Sequence, residues 1–122
     1  MTKHLITITD LSKGELLHIF EVAKTLEAQY VNTGKNTEYF KNMSLAMLFE
    51  KPSLRTRVAF EVATAQLGGY AINLGKNEVL LSAANKEREA ISDIAENLSQ
   101  FVDLIFARVG EFQTVSALAE YS

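Results

Sequence analysis

The sequence has no cysteine, which excludes disulfide bridges and thiolate metal sites. Histidine is almost as scarce: His4 and His18 are the only two. Neither stands at metal-ligand spacing, and His18 falls in a segment of helical period, so both read as surface positions. With both histidines near the N-terminus and no strained nucleophile elbow after a strand, a Ser-His-Asp arrangement has no support. No basic run stands out and the net charge is −3, which argues against a nucleic-acid surface. No apolar run reaches membrane-spanning length and the N-terminus lacks a signal-peptide core, so a cytoplasmic protein without a membrane partner is expected. Neither Gly-x-Gly-x-x-Gly nor a Walker sequence follows a strand, which disfavours a generic doubly wound nucleotide binder. Repeats, low-complexity tracts and linker signals are missing too, and proline occurs once. What remains, 122 residues that are 48% hydrophobic and 22% charged, is one domain's worth of material for a single core.

The single proline, Pro52, lies in the most informative stretch. The apolar run Leu45-Ala46-Met47-Leu48-Phe49 ends there, a Ser/Thr/Arg-rich turn follows, and helix-compatible residues begin at Leu54. This reads as a strand delivering its C-terminal end to a helix N-terminus. Unpaired N–H groups and the positive end of the macrodipole suit such a place to an anion, above all a phosphate. Ser53 is the expected N-cap, and Arg55 adds a planar fork of donors that matches phosphate oxygens. On composition alone an ordinary capped helix with solvated arginines stays equally open, because short Ser/Arg clusters are common. Arg57 and Glu61 are four residues apart and should pair along the helix, which assigns Arg57 to structure rather than to a ligand.

Around this stretch the chain alternates. Leu5 to Thr9 is short, alternating and β-branched; Ser12-Lys13-Gly14-Glu15 then matches a capping box. Leu16, Ile19, Phe20, Ala23, Leu26 and Tyr30 recur at helical spacing as one apolar face, ended by Asn32-Thr33-Gly34-Lys35-Asn36. The near-continuous apolar strand Leu45 to Phe49 suits burial on both faces of a parallel sheet. A helix from about Leu54 to Leu67 should stop at Gly68-Gly69, before a second strand Tyr70 to Leu74. Lys76 to Arg88 has no regular period. Ile91, Ile94, Ala95, Leu98, Phe101 and Val102 resume a helical face, Leu104 to Ala107 is a third strand, and Val115, Leu118 and Ala119 suggest a last helix. Strands alternating with helices of this length predict βαβ units and a parallel sheet. Ligands bind outside the C-terminal ends of such strands, where Arg55 follows the first and Arg108 the third. With Ser53 and Thr56 they form a candidate oxyanion cradle.

The wording of Ser53-Leu54-Arg55-Thr56-Arg57, preceded by Phe49-Glu50-Lys51-Pro52 and followed by Val58-Ala59-Phe60-Glu61-Val62 and Ala65-Gln66-Leu67-Gly68-Gly69, closely resembles the carbamoyl-phosphate loop of the aspartate/ornithine carbamoyltransferase family. The flanking words look most like the ornithine branch. Val102 to Arg108 resembles the segment whose arginine contacts carbamoyl phosphate. The resemblance implies an α/β fold, a three-layer parallel sheet flanked by helices, of the carbamoyltransferase N-terminal domain type. It implies that Ser53, Arg55 and Thr56 hold the phosphate with the loop amides, and that Thr56 and Arg108 also approach the carbonyl oxygen. Arg55, Thr56 and Arg108 would then be the catalytic set. The family usually reads Ser-Thr-Arg-Thr-Arg; here Leu54 replaces the second hydroxyl, leaving its backbone N–H to serve.

The implied reaction is acyl transfer to an amine, ornithine giving citrulline and phosphate, with no metal or cofactor. Aspartate, putrescine or an acylated ornithine are alternative acceptors, and a non-catalytic phosphate-ligand domain is an alternative class. Family members place a loop between Gly75 and Ile91 that reaches a neighbouring subunit's site, and the resemblance implies a homotrimer. Neither family pattern for that loop fits here without shifting the alignment. Lys86 and Arg88 are candidate cross-subunit groups, but Lys86-Glu87-Arg88-Glu89 reads first as a solvated charge run entering a helix. The resemblance covers nearly all of the sequence, which corresponds to most of a first domain. The amino-acid domain and the family's His-Pro-Thr-Gln-like segment would lie beyond it, so the isolated fragment is expected to be inactive or nearly so.

Overall fold

The computed structural model of the chain describes residues 4–75 and 87–122. The chain divides into two compact units, Met1–Thr37 and Glu38–Ser122. The short β-branched stretch in the first unit closes into a 3-10 turn at Ile8–Asp10, where Asp10 Oδ2 accepts from the N–H groups of Ile6 and Thr7 at 2.8 and 3.0 Å. Helix α1, Lys13–Thr33, starts at the expected capping box. Glu15 N–H donates to Ser12 Oγ at 3.1 Å, and Ser12 N–H donates to Glu15 Oε1 at 3.0 Å. It stops at Gly34, whose φ of 74° is left-handed and whose N–H donates to Tyr30 O at 2.7 Å. The expected apolar face is uneven in burial: Leu16 and Leu26 are half-buried, whereas Ile19, Phe20 and Tyr30 are exposed.

The second unit is built on β1, Ser44–Phe49, which is buried along its whole length. It lies between β2, Tyr70–Leu74, and β3, Leu104–Arg108, in a parallel sheet of order β2-β1-β3. The register pairs Leu48 with Leu74 on one side and with Ala107 on the other, and Phe49 with Arg108 at the C-terminal edge. Alternation along the strand divides the core. Leu48 packs with Ile91 and Ala95 of α3 (Glu87–Ser99) and with Ala117 and Leu118 of α4 (Phe112–Tyr121). Leu45, Met47 and Phe49 face the other way, with Ala71 and Phe106. There Phe60 of α2 (Leu54–Gln66) lies against Phe106, ring centroids 4.1 Å apart. The result is a layer of α2, a layer of sheet, and a layer of α3 with α4.

Turns and edges obey local chemistry. Helix α2 ends one residue before Leu67, and Gly68 takes the left-handed stop at φ 88°. At Gly69 a Cβ would meet Met43 O at 2.9 Å and Phe40 O at 3.0 Å, so only glycine lets β2 start beside that loop. The face expected to continue through Phe101 and Val102 does not: α3 ends at Ser99 and Phe101 is 79% exposed. The N–H groups of both Phe101 and Val102 turn back onto Leu98 O. Asp103 ties the start of β3 to the sheet, because Ser44 N–H donates to its Oδ2 at 2.9 Å and its own N–H donates to Ser44 O at 3.1 Å. That pairing forces the chain out of the helix before Val102.

Leu48 is fully buried between both flanking strands and both helices of its face. Leu48→Ala should therefore destabilise the chain by about 2–5 kcal/mol. Urea unfolding of both proteins checks this, with a lower midpoint at unchanged slope expected. A loss below about 1 kcal/mol would show that the core does not centre on β1.

Candidate functional site

The apolar run of β1 ends in Glu50, Lys51 and Pro52, and the chain enters α2 at Leu54. Arg57 N–H makes the first bond of the helical ladder, onto Ser53 O at 3.0 Å. The amides of Leu54, Arg55 and Thr56 precede that ladder, so this first turn presents N–H groups and the positive end of the helix dipole. Residues 53–56 thus lie at the helix start, off the C-terminal edge of the sheet's central strand.

Ser53 occupies the N-cap position with extended backbone (φ −147°, ψ 97°), yet its hydroxyl caps nothing. It faces Arg108 instead. The Arg108 guanidinium, at the end of β3, donates through Nη1 to Ser53 Oγ and also to Thr56 Oγ1, the latter at 2.9 Å. The sequence places Ser53 correctly at the cap position but wrongly as the helix's side-chain cap. The physical reason is competition for the direction in which one hydroxyl points, which the charged donor wins over the backbone amide.

Positions 53 and 108 are thereby joined directly. Ser53 and Thr56 are half-buried, while Arg108 is exposed. Nη1 is the only guanidinium nitrogen of Arg108 that bonds protein among the described residues, and Nε and Nη2 keep their donors free for another partner. Each hydroxyl acts here as acceptor and keeps its own O–H to donate. Arg55 is exposed and forms no hydrogen bond or ion pair among the described residues. Arg57 pairs with Glu61 as expected, Nε to Oε1 at 3.3 Å. Leu54 is 78% exposed, so its side chain does not fill the core. Of the two candidate cross-subunit groups, Lys86 lies outside the described residues and Arg88 stands at the start of α3.

Two further residues meet at this edge, and sequence reasoning missed their contact. Glu50 N–H donates to Arg108 O at 3.1 Å, and the Glu50 carboxylate Oε2 accepts from Gly110 N–H. The only available signal was their closeness to expected strand ends, Glu50 one residue after Phe49 and Gly110 three after Ala107. Chemically, the edge gathers fixed hydrogen-bond donors of both backbone and guanidinium kind, hydroxyls between them, and a helix N-terminus, an arrangement suited to a tetrahedral or planar oxyanion. No group of His, Cys, Asp or Glu suited to a metal ion occurs among the described residues.

A parallel α/β domain with its polar groups gathered where strand ends meet a helix start is the general class that this geometry defines. The family model for the carbamoyl-phosphate-binding domain of aspartate/ornithine carbamoyltransferases matches residues 3–122, and the chain belongs to that family. It is 45% identical over 120 residues to an ornithine carbamoyltransferase of Archaeoglobus fulgidus, covering 98% of this chain and 38% of that protein. It superposes on ornithine carbamoyltransferase from Pyrococcus furiosus with a TM-score of 0.87 at 38% identity, over 98% of this chain and 37% of that one. The catalytic subunit of M. jannaschii aspartate transcarbamoylase is also similar, with a TM-score of 0.82 at 30% identity, over 99% of this chain and 39% of that one. The chain thus spans well under half the length of the relatives it matches.

Because Ser53 Oγ makes no cap bond, Ser53→Ala should not cost the roughly 1 kcal/mol that losing an N-cap usually does. Urea unfolding should register a change below about 0.5 kcal/mol. A loss of about 1–2 kcal/mol that persists when Arg108 is also replaced by alanine would mean that the hydroxyl caps α2 in solution after all, whereas a loss that vanishes in that background belongs to the Arg108 bond.

Proposed function

We propose that this chain is the carbamoyl-phosphate-binding, N-terminal domain of a carbamoyltransferase, and that the protein it belongs to transfers the carbamoyl group to ornithine, giving citrulline and phosphate. The observation that carries the reading is the convergence of Arg108 on Ser53 and Thr56 at the start of α2. On this reading the amides of residues 54–56, with Ser53, Arg55 and Thr56, receive the phosphate. Thr56 and Arg108 face the carbamoyl oxygen. Leu54 serves through its N–H alone.

The step needs little more than fixed charge complementarity. The amine lone pair attacks the carbamoyl carbon and forms the C–N bond, and the carbonyl electrons move onto oxygen. They return to re-form the carbonyl as the C–O bond to phosphate breaks, phosphate leaves with the electrons of that broken bond, and the proton that the amine loses passes to an oxygen of the departing phosphate. Donors that are already in place stabilise the transient oxyanion without reorganising, and a single such donor is worth about 3–4 kcal/mol. Arg55 and the helix dipole stabilise the charge that builds on the departing phosphate.

The amine would be bound by a second domain outside this sequence, which leaves the chain by itself able to bind carbamoyl phosphate but not to turn it over. The preference for ornithine over aspartate rests on the flanking words Phe49–Pro52, Val58–Val62 and Ala65–Gly69 and on the named relatives. The reading further places the protein in the cytoplasm, in arginine metabolism, and in a homotrimer; among the described residues no helix is long and apolar enough to cross a membrane. Light scattering on the full-length protein should return three times the subunit mass, and a stable monomer would contradict the trimer.

Arg108→Lys provides the decisive test of the site. Lysine keeps the charge but loses the fork that spans two hydroxyls and still offers donors outward. In the full-length protein carbamoyl transfer should fall by about a hundredfold to a thousandfold, the loss of roughly 2.7–4 kcal/mol of transition-state stabilisation. Thermal unfolding should change little, since Arg108 is exposed at a strand end. Unchanged turnover would remove Arg108 from the site, and equal losses of turnover and stability would make it structural.

A further inference from the structure

Between the end of β1 and the start of α2, Glu50 makes contacts that no part of the proposed reaction uses. Its N–H donates to Arg108 O, one step past the Phe49–Arg108 pair with which the β1–β3 ladder ends. Its side chain then reaches forward so that Oε2 accepts from Gly110 N–H. The fit is close, since a Cβ on Gly110 would lie 3.0 Å from that same oxygen. Arg108 therefore sits between two tied points, its own carbonyl and the amide two residues on, and both ties come from Glu50.

The two connections have to separate here. From β1 the chain leaves for α2, which packs on the Phe106 face, and from β3 it leaves for α4, which packs on the Leu48 face. A ladder between parting strands frays unless something beyond the last pair holds it. We infer that Glu50 is a positioning residue for Arg108: it staples the β3–α4 turn to the end of β1, so that the guanidinium stays against Ser53 and Thr56 with its remaining donors aimed outward. The inference rests on the carbamoyl-phosphate reading above. What the staple needs is an acceptor oxygen at the reach of a glutamate side chain, not a negative charge. Glutamine supplies that oxygen; alanine does not, and aspartate is one methylene too short.

The test is titration of the ¹⁵N-labelled chain with carbamoyl phosphate for wild type, Glu50→Ala and Glu50→Gln, with the Arg108 guanidinium resonances followed in the same samples. Wild type should saturate. E50A should bind about tenfold to a hundredfold more weakly, the scale expected when a positioned group is misplaced by about 1 Å, and E50Q should bind close to wild type. The Arg108 guanidinium signals should move or broaden in E50A and not in E50Q, while the amides of Ala71 and Ile72 in β2 keep their positions in both. A merely structural glutamate would disturb β2 as well. If E50A does not fold, Glu50→Asp takes its place against E50Q. Equal binding by wild type and E50A (or E50D), or an E50Q as impaired as either, overturns the role of Glu50 while leaving the carbamoyl-phosphate reading standing. A wild-type chain that does not saturate overturns that reading, and the role of Glu50 with it.

Discussion

The constraint on which the rest depends is the position of β1. It is the middle strand of the sheet, and the chain goes to β2 on one side of it before crossing over to β3 on the other. The helices that come after β1 and β3 consequently leave toward opposite faces, α2 to one and α4 to the other. Such a reversal opens a crevice at the C-terminal edge between neighbouring parallel strands, the usual location of ligands in open α/β sheets. The groups that bond one another across the candidate site come from the two lips of that crevice: Glu50, Ser53 and Thr56 from the β1 lip, Arg108 and Gly110 from the β3 lip. The sheet core is correspondingly strict, with Ala46, Met47 and Leu48 wholly inaccessible to solvent. A strand that is buried on every side cannot drift, and the residues at its end inherit that fixity.

Within the crevice one hydrogen-bonding choice organises the polar groups. Ser53 forgoes the capping bond that its position offers and accepts from Arg108 instead. The first-turn amides of α2 are thus left without a side-chain partner, and the guanidinium is held by a hydroxyl on each side of its Nη1. A helix start whose N–H groups are spoken for by its own cap has less to offer an anion. Leaving them open costs some helix stability, of the order of the roughly 1 kcal/mol a cap contributes, and preserves donors in fixed directions. Preorganisation of this sort is what oxyanion stabilisation requires, because donors that must first reorient lose much of their effect.

Most of this was legible in the sequence, for identifiable reasons. Leu45 to Phe49 announced a doubly buried strand because no polar residue interrupts it, and Gly68-Gly69 announced a stop because glycine can take the left-handed cap, as Gly68 does; the close backbone approach at Gly69 depends on a distant loop and had no local signal. The Ser12–Glu15 box and the Arg57–Glu61 pair were local, and local patterns can be read from spacing alone. Arg108 was legible as a candidate site residue only through its place at the end of an expected strand and through family resemblance. Phe101 misled because its spacing continues a helical period, whereas the pairing of Asp103 with Ser44, across 59 positions, decides where the helix must end. The Glu50–Gly110 contact spans 60 positions and joins two turns. Neither turn has a periodicity to betray it, and glutamate after a strand is too common to mark a contact. The hydroxyl of Ser53 was misjudged for a related reason: capping propensity is a local preference, and a charged donor arriving from 55 positions away overrides it.

The proposed chemistry stands or falls on where carbamoyl phosphate sits, and a crystal structure of the chain grown with that ligand measures it directly. The phosphate oxygens should lie within hydrogen-bonding distance of the amides of residues 54–56 and of the Ser53 hydroxyl. The carbamoyl oxygen should be met by Thr56 and by an Arg108 guanidinium that stays between Ser53 and Thr56. Ligand bound at another edge of the sheet, or bound here with Arg108 swung away to solvent, would contradict that placement and the mechanism built on it.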